Sequence, residues 1–216
     1  MALVAKFTFN PFQENTYIVY DETKECIIFD PGMYTEAERK HFAEFIESAE
    51  LRPVRLINTH CHLDHVFGNK FVADTYQLGL EIHEGEVPVL ESFTQVCAMY
   101  GVPNVETSPA PSRFIKEGDT ITFGNTSLAV LFTPGHSPAS ISFFCKEDQF
   151  LIAGDVLFRE SIGRTDLPGG DMKTLLDSIR DKCFPLGDDV RVHSGHGEDT
   201  TIGFEKANNP FLNGAY

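Results

Sequence analysis

The sequence predicts a mixed α/β fold, because short apolar segments bounded by turn residues alternate with segments of helical spacing. At 216 residues, with 42% hydrophobic and 23% charged residues, the chain has the composition of a globular protein with a sizeable core. The sequence contains no repeat, low-complexity tract or interdomain linker. We therefore expect a single domain over residues 1–216.

Strands are predicted where residues alternate or run apolar between turn signals such as Asn10-Pro11. Thr35 is a suitable helix cap, and apolar residues at helical spacing follow it to about Glu50. The predicted strands cover residues 3–9, 15–20, 25–29, 54–57, 80–83, 120–123, 126–132, 140–145, 150–153 and 190–193, and the predicted helices cover 35–50, 65–78, 87–100 and 172–182.

Residues 84–116 interrupt this alternation. A helical stretch from Val87 to Tyr100 leads into an extended, irregular connection rich in proline and serine. We expect an irregular helical excursion of the same domain over the active-site edge. Its helix either contacts substrate or only packs against the core, and the sequence leaves both alternatives open.

Composition and charge exclude several classes of partner. The formal net charge of −15 opposes binding to nucleic acids, because that binding depends on clustered Lys and Arg. No apolar run approaches the roughly 20 residues of a membrane span, and residues 1–8 resemble a strand rather than a secretory signal. The 5 cysteines are an odd number without a C-x-x-C pair. We therefore expect a cytoplasmic protein without a nucleic-acid or membrane partner.

The most informative segment follows the apolar strand at 54–57. It has the spacing H-x-H-x-D-H, formed by His60, His62, Asp64 and His65. A regular strand or helix cannot aim all of these side chains at one ion, since strand neighbours face opposite ways and helix neighbours lie about 100° apart. A loop that runs into a helix near Asp64 separates the first two histidines from the last two ligands. The segment therefore predicts two adjacent metal sites.

Further metal-binding side chains follow three later strands. His136 lies in a Pro-Gly-His turn, Asp155 follows a glycine, and His196 lies between two glycines. Open α/β sheets place functional side chains beyond the carboxyl ends of their strands, so we expect these residues at one edge of the fold. His193 alternates off the ligand face and is predicted not to bind metal.

Together these motifs resemble the metallo-β-lactamase superfamily. The order H-x-H-x-D-H, P-G-H, G-D and G-H-G follows the metal-binding pattern of that superfamily. The segments 154–158, 162–166 and 208–212 resemble its short bacterial glyoxalase II-like branch, and the likeness extends from Gln13 to the last residues. The resemblance implies a four-layer αβ/βα sandwich, in which two mixed β-sheets lie face to face with helices outside.

The same resemblance implies a dinuclear metal centre. Imidazole and carboxylate ligands suit two divalent ions, with zinc as the first choice and iron or manganese as alternatives. Two neighbouring cations lower the pKa of a shared water and supply a nucleophile near neutral pH. Asp64 and Asp155 are the expected catalytic carboxylates. The implied ligands are His60, His62 and His136 for one ion, Asp64, His65 and His196 for the other, and Asp155 as the bridge.

Supporting residues are predicted around these ligands. Asp30 and Thr59 are expected to hold imidazole N–H groups or to stiffen the loops. Cys61 lies between two predicted ligands, and we expect its thiol to pack away from the metal, because the alternation that aims His60 and His62 inward aims Cys61 outward.

Substrate residues are predicted near Asp155. Arg159 and Arg164 follow it closely and are suited to bind a substrate carboxylate or a thiol conjugate, although either can equally form a surface ion pair. Phe158 and Tyr100 are expected to line the pocket. The sequence does not predict the oligomeric state.

Three functions agree with these patterns. The first is a dinuclear hydrolase that cleaves S-acylglutathione-type or other small acyl thioesters, favoured by the complete ligand set. The second is a mononuclear iron persulfide dioxygenase, whose ligands would be His60, His136 and Asp155. The third is a non-catalytic metal-binding module. A β-lactamase is disfavoured, because no secretory signal is visible and Asp155 is the position where those enzymes usually differ.

Overall fold

The computed structural model describes residues 1–213, so the last three residues of the predicted domain lie outside the described part of the chain. The described residues form two compact units. The first contains residues 1–115 and 122–126, and the second contains residues 116–121 and the chain from Ser127 onwards. The expectation of one domain with an excursion at 84–116 stays a prediction.

A six-stranded mixed sheet forms the centre of the first unit. Its strands are β1 (Leu3–Phe9), β2 (Glu14–Tyr20), β3 (Glu25–Phe29), β4 (Arg52–Ile57), β5 (Leu80–Ile82) and β6 (Pro111–Phe114), in that spatial order. The first three pair antiparallel, whereas β4, β5 and β6 are each parallel to the strand before them. Because β3 and β4 are parallel, with Phe29 opposite Ile57, the loops that follow both strands start at the same sheet edge.

Five helices belong to the first unit: α1 (Glu36–Ser48), α2 (Leu63–Val66), α3 (Asn69–Tyr76), α4 (Val87–Glu91) and α5 (Phe93–Met99). A capping box starts α1, in which the Thr35 side chain accepts from Glu38 N while the Glu38 side chain accepts from Thr35 N. Phe42 and Ile46 of α1 are buried in the hydrophobic core of the unit. Burying side chains of this kind contributes about 1.5–3 kcal/mol each.

The second six-stranded sheet consists of β7 (Thr120–Phe123), β8 (Thr126–Phe132), β9 (Ile141–Cys145), β10 (Phe150–Gly154), β13 (Arg191–Ser194) and β14 (Thr200–Thr201). Its spatial order is β14-β13-β10-β9-β8-β7, and β10 is parallel to β13. Two residues each from β11 (Leu157–Phe158) and β12 (Ser161–Ile162) form a small hairpin. The helices α6 (Met172–Ser178) and α7 (Ile202–Asn208) complete the unit, with Asp171 and Thr201 as their caps.

Several predicted elements differ from the observed ones. The helix predicted over 65–78 is broken into α2 and α3 at Gly68, where the backbone approaches Pro31 so closely that an added Cβ would lie 2.8 Å from its carbonyl oxygen. The helix predicted over 87–100 is divided at Ser92. The connection predicted as irregular contains β6, which pairs with β5.

Among residues 1–213, no helix is both long and apolar enough to cross a membrane.

Candidate metal centre

The first unit brings the four ligands of the H-x-H-x-D-H segment together after β4. His60 and His62 lie in the loop, whereas Asp64 and His65 lie in α2. The rings of His60 and His62 are 4.8 Å apart between centroids, and those of His60 and His65 are 4.1 Å apart. His65 Nε2 lies 3.8 Å from Asp64 Oδ2. Burial of His60, Asp64 and His65 removes the water that would otherwise screen these groups.

Asp30 determines which ring nitrogen of His65 carries a proton. Its Oδ2 lies 3.2 Å from His65 Nδ1, and an ionised carboxylate only accepts hydrogen bonds. His65 Nδ1 therefore donates, which leaves the lone pair of Nε2 available for a cation. Asp30 adopts this position in the left-handed region, with φ +48°, a conformation that aspartate tolerates better than most residues.

Thr59 orients the ring of His60 in the same way. Its hydroxyl donates to Asp30 Oδ2 at 2.6 Å and lies 3.1 Å from His60 Nδ1. Because the single hydroxyl hydrogen points at Asp30, Thr59 accepts from His60 Nδ1. His60 therefore also presents its Nε2 lone pair. By distance Asp30, His60 and His65 could themselves hold a cation, but these hydrogen bonds assign the cluster an orienting role.

Two other side chains, one of them buried, fix the backbone of the predicted ligand segment. Glu86 Oε2 accepts from Cys61 N at 2.9 Å, and Asn10 Nδ2 donates to Asp64 O at 3.1 Å. The Cys61 side chain belongs to the hydrophobic core, and burial raises the pKa of its thiol well above the usual value. A neutral, buried thiol is a poor metal ligand.

Glu14 is a fully buried acid next to these residues. Burial raises its pKa well above the usual value, and its Oε1 lies 3.9 Å from His65 Nδ1. Thr16 Oγ1 contacts both Glu14 Oε2 at 3.0 Å and Asp30 O at 2.9 Å, but it has only one hydrogen. A protonated Glu14 that donates to Thr16 satisfies both contacts. Gly32 leaves room for it, since an added Cβ would lie 2.0 Å from Glu14 Oε2.

The second unit brings together the other three predicted ligands. Asp155 directly follows β10, His136 follows β8, and His196 follows β13. Asp155 Oδ2 lies 3.4 Å from His136 Nε2 and 3.5 Å from His196 Nε2. One carboxylate oxygen thus faces two imidazole nitrogens.

The donor set of this unit fits a metal ion. His136 Nδ1 donates to the backbone carbonyl of Arg164 at 2.7 Å, so the neutral ring has its lone pair on Nε2. That lone pair faces the Asp155 carboxylate, and two acceptors at 3.4 Å repel each other unless a cation lies between them. Nitrogen and carboxylate oxygen donors suit zinc, iron and manganese alike.

The two arginines predicted to bind substrate, Arg159 and Arg164, each lie next to an acidic side chain. Arg164 donates to Asp166 through Nε and Nη2, both at 2.7 Å, and these hydrogen bonds lower the pKa of Asp166 to about 2. Arg159 lies over the Phe204 ring at 4.8 Å and 3.8 Å from Glu198. The roles of both arginines in substrate binding stay predictions.

The two aromatic residues of that set are also separated. In the second unit, the Phe158 ring lies 6.1 Å from the His196 ring in an edge-on arrangement. In the first unit, Tyr100 is half exposed and contacts the Phe12 ring at 6.2 Å. Their contribution to a substrate pocket likewise stays a prediction.

Sequence reasoning did not predict the buried acids Glu14 and Glu86. A signal for Glu14 was present, since Glu14, Asn15 and Thr16 form a polar run that leads directly into Tyr17-Ile18-Val19 of the same strand. All of these residues are buried, so the polar run indicated an internal hydrogen-bond network. Glu86 gave no such signal, because it stands alone between Gly85 and Val87 rather than in a polar run.

Comparison with known proteins gives consistent matches over most of the chain. The family model described as Metallo-beta-lactamase superfamily matches residues 9–196. The hydroxyacylglutathione hydrolase GloC of Haemophilus influenzae is 40% identical over 205 residues, which are 94% of each chain. The crystal structure of BLEG-1 B3 metallo-beta-lactamase has a TM-score of 0.90 at 36% identity, covering 98% of this chain and 100% of that one. The structure of TTHA1623 in a di-iron-bound form has a TM-score of 0.86 at 35% identity, covering 96% and 100%.

Proposed function

This chain belongs to the metallo-beta-lactamase superfamily, and on that premise we propose that it is a dinuclear hydrolase of small acyl thioesters, of the S-acylglutathione kind. The observation that carries this proposal is the Asp155 carboxylate oxygen facing two imidazole nitrogens, which suits a bridging ligand. The likeness to a hydroxyacylglutathione hydrolase of nearly equal length supports the substrate class.

We assign the metal ligands from the superfamily pattern and from the tautomers. His60, His65 and His136 each direct an Nε2 lone pair outward from a hydrogen-bonded Nδ1. We propose zinc as the metal, with iron as the first alternative because a similar protein binds two irons. The proposed ligands are His60, His62 and His136 for one ion, Asp64, His65 and His196 for the other, and Asp155 for both.

The residues divide the chemistry of hydrolysis between them. Divalent ions bound here would lower the pKa of water and polarise a carbonyl oxygen. Asp64 would accept the proton that water loses as its oxygen attacks the thioester carbonyl carbon. The C–S bond would then break, the departing sulfur would take the proton from Asp64, and the products would be a carboxylic acid and a thiol. Asp30 and Thr59 keep the imidazoles of His65 and His60 in the required tautomers during this sequence.

Local positive charge must offset the net charge of −15 when the substrate is anionic. The ions supply part of that charge, and we propose Arg159 and Arg164 for the remainder. Arg164 is held by Asp166, so its planar guanidinium has a fixed orientation. We propose no nucleic-acid partner for this acidic chain.

Thioester hydrolysis is tested by following thiol release from S-lactoylglutathione with the zinc-loaded protein. We expect turnover by the wild type and a loss of at least about 100-fold in Asp155→Ala and His62→Ala, since both lose a metal ligand. His41→Ala is the matched control, because His41 is exposed on α1. If the metal-loaded wild type releases no thiol from this or simpler thioesters, the proposed substrate class is wrong.

Two parallel assays distinguish other chemistries. The similarity to a B3 metallo-beta-lactamase makes a chromogenic cephalosporin the appropriate second substrate. Oxygen uptake with glutathione persulfide tests for a dioxygenase. Turnover in either assay, combined with inactivity on thioesters, would replace the hydrolase proposal by the corresponding one.

A further inference from the structure

A chain of buried amides lies behind Asp30 and His65 in the first unit. Asn58 Nδ2 donates to His65 O at 3.0 Å and lies 3.4 Å from Asp30 Oδ1. Asn69 Nδ2 donates to Asn58 Oδ1 at 2.8 Å and to Ser108 Oγ at 3.0 Å. Both amide side chains are fully buried, so water cannot replace the contacts that join Asn69, Asn58 and His65 O.

The orientation of both amides is determined by their partners. A backbone carbonyl only accepts, so Asn58 must turn its NH₂ group toward His65 O. Its oxygen therefore faces Asn69, which must present its own NH₂ group there. Flipping the amide of Asn58 or of Asn69 would place two oxygens together in the interior. Donation thus runs in one direction, from Asn69 through Asn58 to His65, and Asn69 also donates to Ser108.

The helix that these amides contact cannot position its own side chains. Helix α2 spans only Leu63–Val66, and a helix leaves its first four N–H and last four C=O groups without partners inside the helix. Contacts from outside must therefore fix the backbone that carries Asp64 and His65. Asn58 supplies such a contact from the end of β4, and Asn69 supports Asn58 from the first turn of α3.

We propose that Asn58 and Asn69 are positioning residues that hold α2 in place, so that Asp64 and His65 stay aligned for the second metal ion. The inference rests on the proposed dinuclear centre, but it does not depend on the substrate. His60 and His62 precede α2 and are held by Thr59 and by Glu86 through Cys61 N. Loss of the amide chain should therefore weaken binding of the second metal ion and leave binding of the first unchanged.

Asn69→Asp tests the proposal, because it changes an NH₂ group to oxygen at nearly constant volume. Its new carboxylate oxygen would face Asn58 Oδ1, and an amide flip of Asn58 would break the contact with His65 O. Simple electrostatics predicts tighter cation binding from the added negative charge. The amide chain predicts the opposite: binding of the second Zn²⁺ weaker by about 10-fold or more, as for other partners that orient metal ligands.

The affinities for both zinc ions are measured by competition with a chromophoric chelator on the full chain, with folding checked by circular dichroism. Asn104→Asp is the matched control, because Asn104 is exposed and undergoes the same chemical change. Ser108 is half-buried, and Ser108→Ala removes only the last hydrogen-bond partner of the amide chain. The variant should therefore fold, and it should weaken binding of the second Zn²⁺ less than Asn69→Asp does. Unchanged or tighter binding in both Asn69→Asp and Ser108→Ala overturns the proposal. If Asn69→Asp fails to fold and Ser108→Ala folds, the zinc affinity of Ser108→Ala alone tests the proposal.

A second readout uses the metal-free protein. Nitrogen NMR of the imidazoles should show His65 protonated on Nδ1 in the wild type. In Asn69→Asp it should show a mixture of tautomers, because a displaced α2 would move His65 Nδ1 away from Asp30 Oδ2. A His65 tautomer unchanged by the substitution, together with unchanged zinc affinity, would mean that the amides only fill space. Neither measurement uses a thioester. A negative result for the role of the amide chain is therefore distinguishable from a negative result in the substrate assay.

Discussion

At the scale of single residues, the carboxylate of Asp30 orients the imidazole rings of His65 and His60. Asp30 orients His65 directly and His60 through the hydroxyl of Thr59. Both rings then present Nε2 lone pairs, although the two histidines belong to different sets of proposed ligands. A residue outside both proposed ligand sets therefore orients one histidine of each set.

Thr59→Val should weaken metal binding by about 10-fold or more, because it removes the hydroxyl that links Asp30 to His60. Thr59→Ser keeps the hydroxyl and should stay close to the wild type. Chelator competition measures both variants. Equal affinities in Thr59→Val and the wild type would show that the hydroxyl does not orient His60.

Glu14→Gln should stabilise the metal-free protein at neutral pH. Because burial raises the pKa of Glu14 in the folded state above its unfolded value near 4.5, its stabilising contribution is complete below that value. That contribution is lost as the pH rises toward the folded-state pKa. Each unit of pKa shift corresponds to about 1.4 kcal/mol.

Urea unfolding of Glu14→Gln and the wild type from pH 5 to pH 8 measures the difference in free energy of unfolding. The advantage of the glutamine variant should grow as the pH rises, because glutamine donates to Thr16 without a charge. A difference that does not change with pH would contradict the neutral, buried Glu14.

At the residue level, motifs pointed to candidate groups that follow strands and gave no signal for isolated buried acids. The H-x-H-x-D-H residues lie together in the first unit and the glycine-flanked candidates lie together in the second, but their role as metal ligands stays a prediction. Glu86 was not predicted, since a single glutamate outside any motif usually faces solvent. Its burial depends on a hydrogen bond to Cys61 N, a contact between residues 25 positions apart.

At the scale of secondary-structure elements, periodicity predicted long elements well and short ones poorly. Helix α1 and strands such as β1 and β8 lie close to their predicted bounds, because each contains several repeats of its pattern. The β11–β12 hairpin has two residues per strand, too few for a period-two pattern. The break at Gly68 arises from close packing against Pro31, which no local pattern encodes.

Helix α7 shows how a short element supports a neighbouring hairpin. The fully buried carboxylate of Glu205 accepts from Glu160 N at 2.9 Å and from Asn209 Nδ2 at 2.8 Å, and also from Thr200 Oγ1. Glu160 lies in the turn between β11 and β12. The helix therefore fixes the hairpin that precedes Arg164 in the chain.

Glu205→Ala should destabilise the protein by about 3 kcal/mol or more, because each buried donor left without an acceptor costs about 1–3 kcal/mol. Glu44→Ala is the control, since Glu44 is exposed on α1 and its ion pair with Lys40 contributes little. The midpoint of urea unfolding measures both variants. Equal midpoints for the two would contradict the role of Glu205 as a shared acceptor.

At the scale of the whole molecule, motif resemblance predicted more than composition did. Composition and periodicity predicted only a mixed α/β protein, whereas the order of the metal motifs predicted the superfamily and its fold class. Both of these predictions are confirmed. The substrate was not predictable to the same depth. The proposed substrate contacts include surface residues such as Arg159, whose sequence neighbours do not distinguish substrate contact from an ion pair.

The metal content of the purified protein tests the dinuclear centre most directly. Elemental analysis after purification without added metal should give about two divalent ions per chain, since the two proposed ligand sets share Asp155. His196→Ala should lose mainly one of them, whereas His41→Ala should keep both. A reproducible single iron per chain in the wild type, unchanged in His196→Ala, would contradict the dinuclear centre and favour the mononuclear dioxygenase.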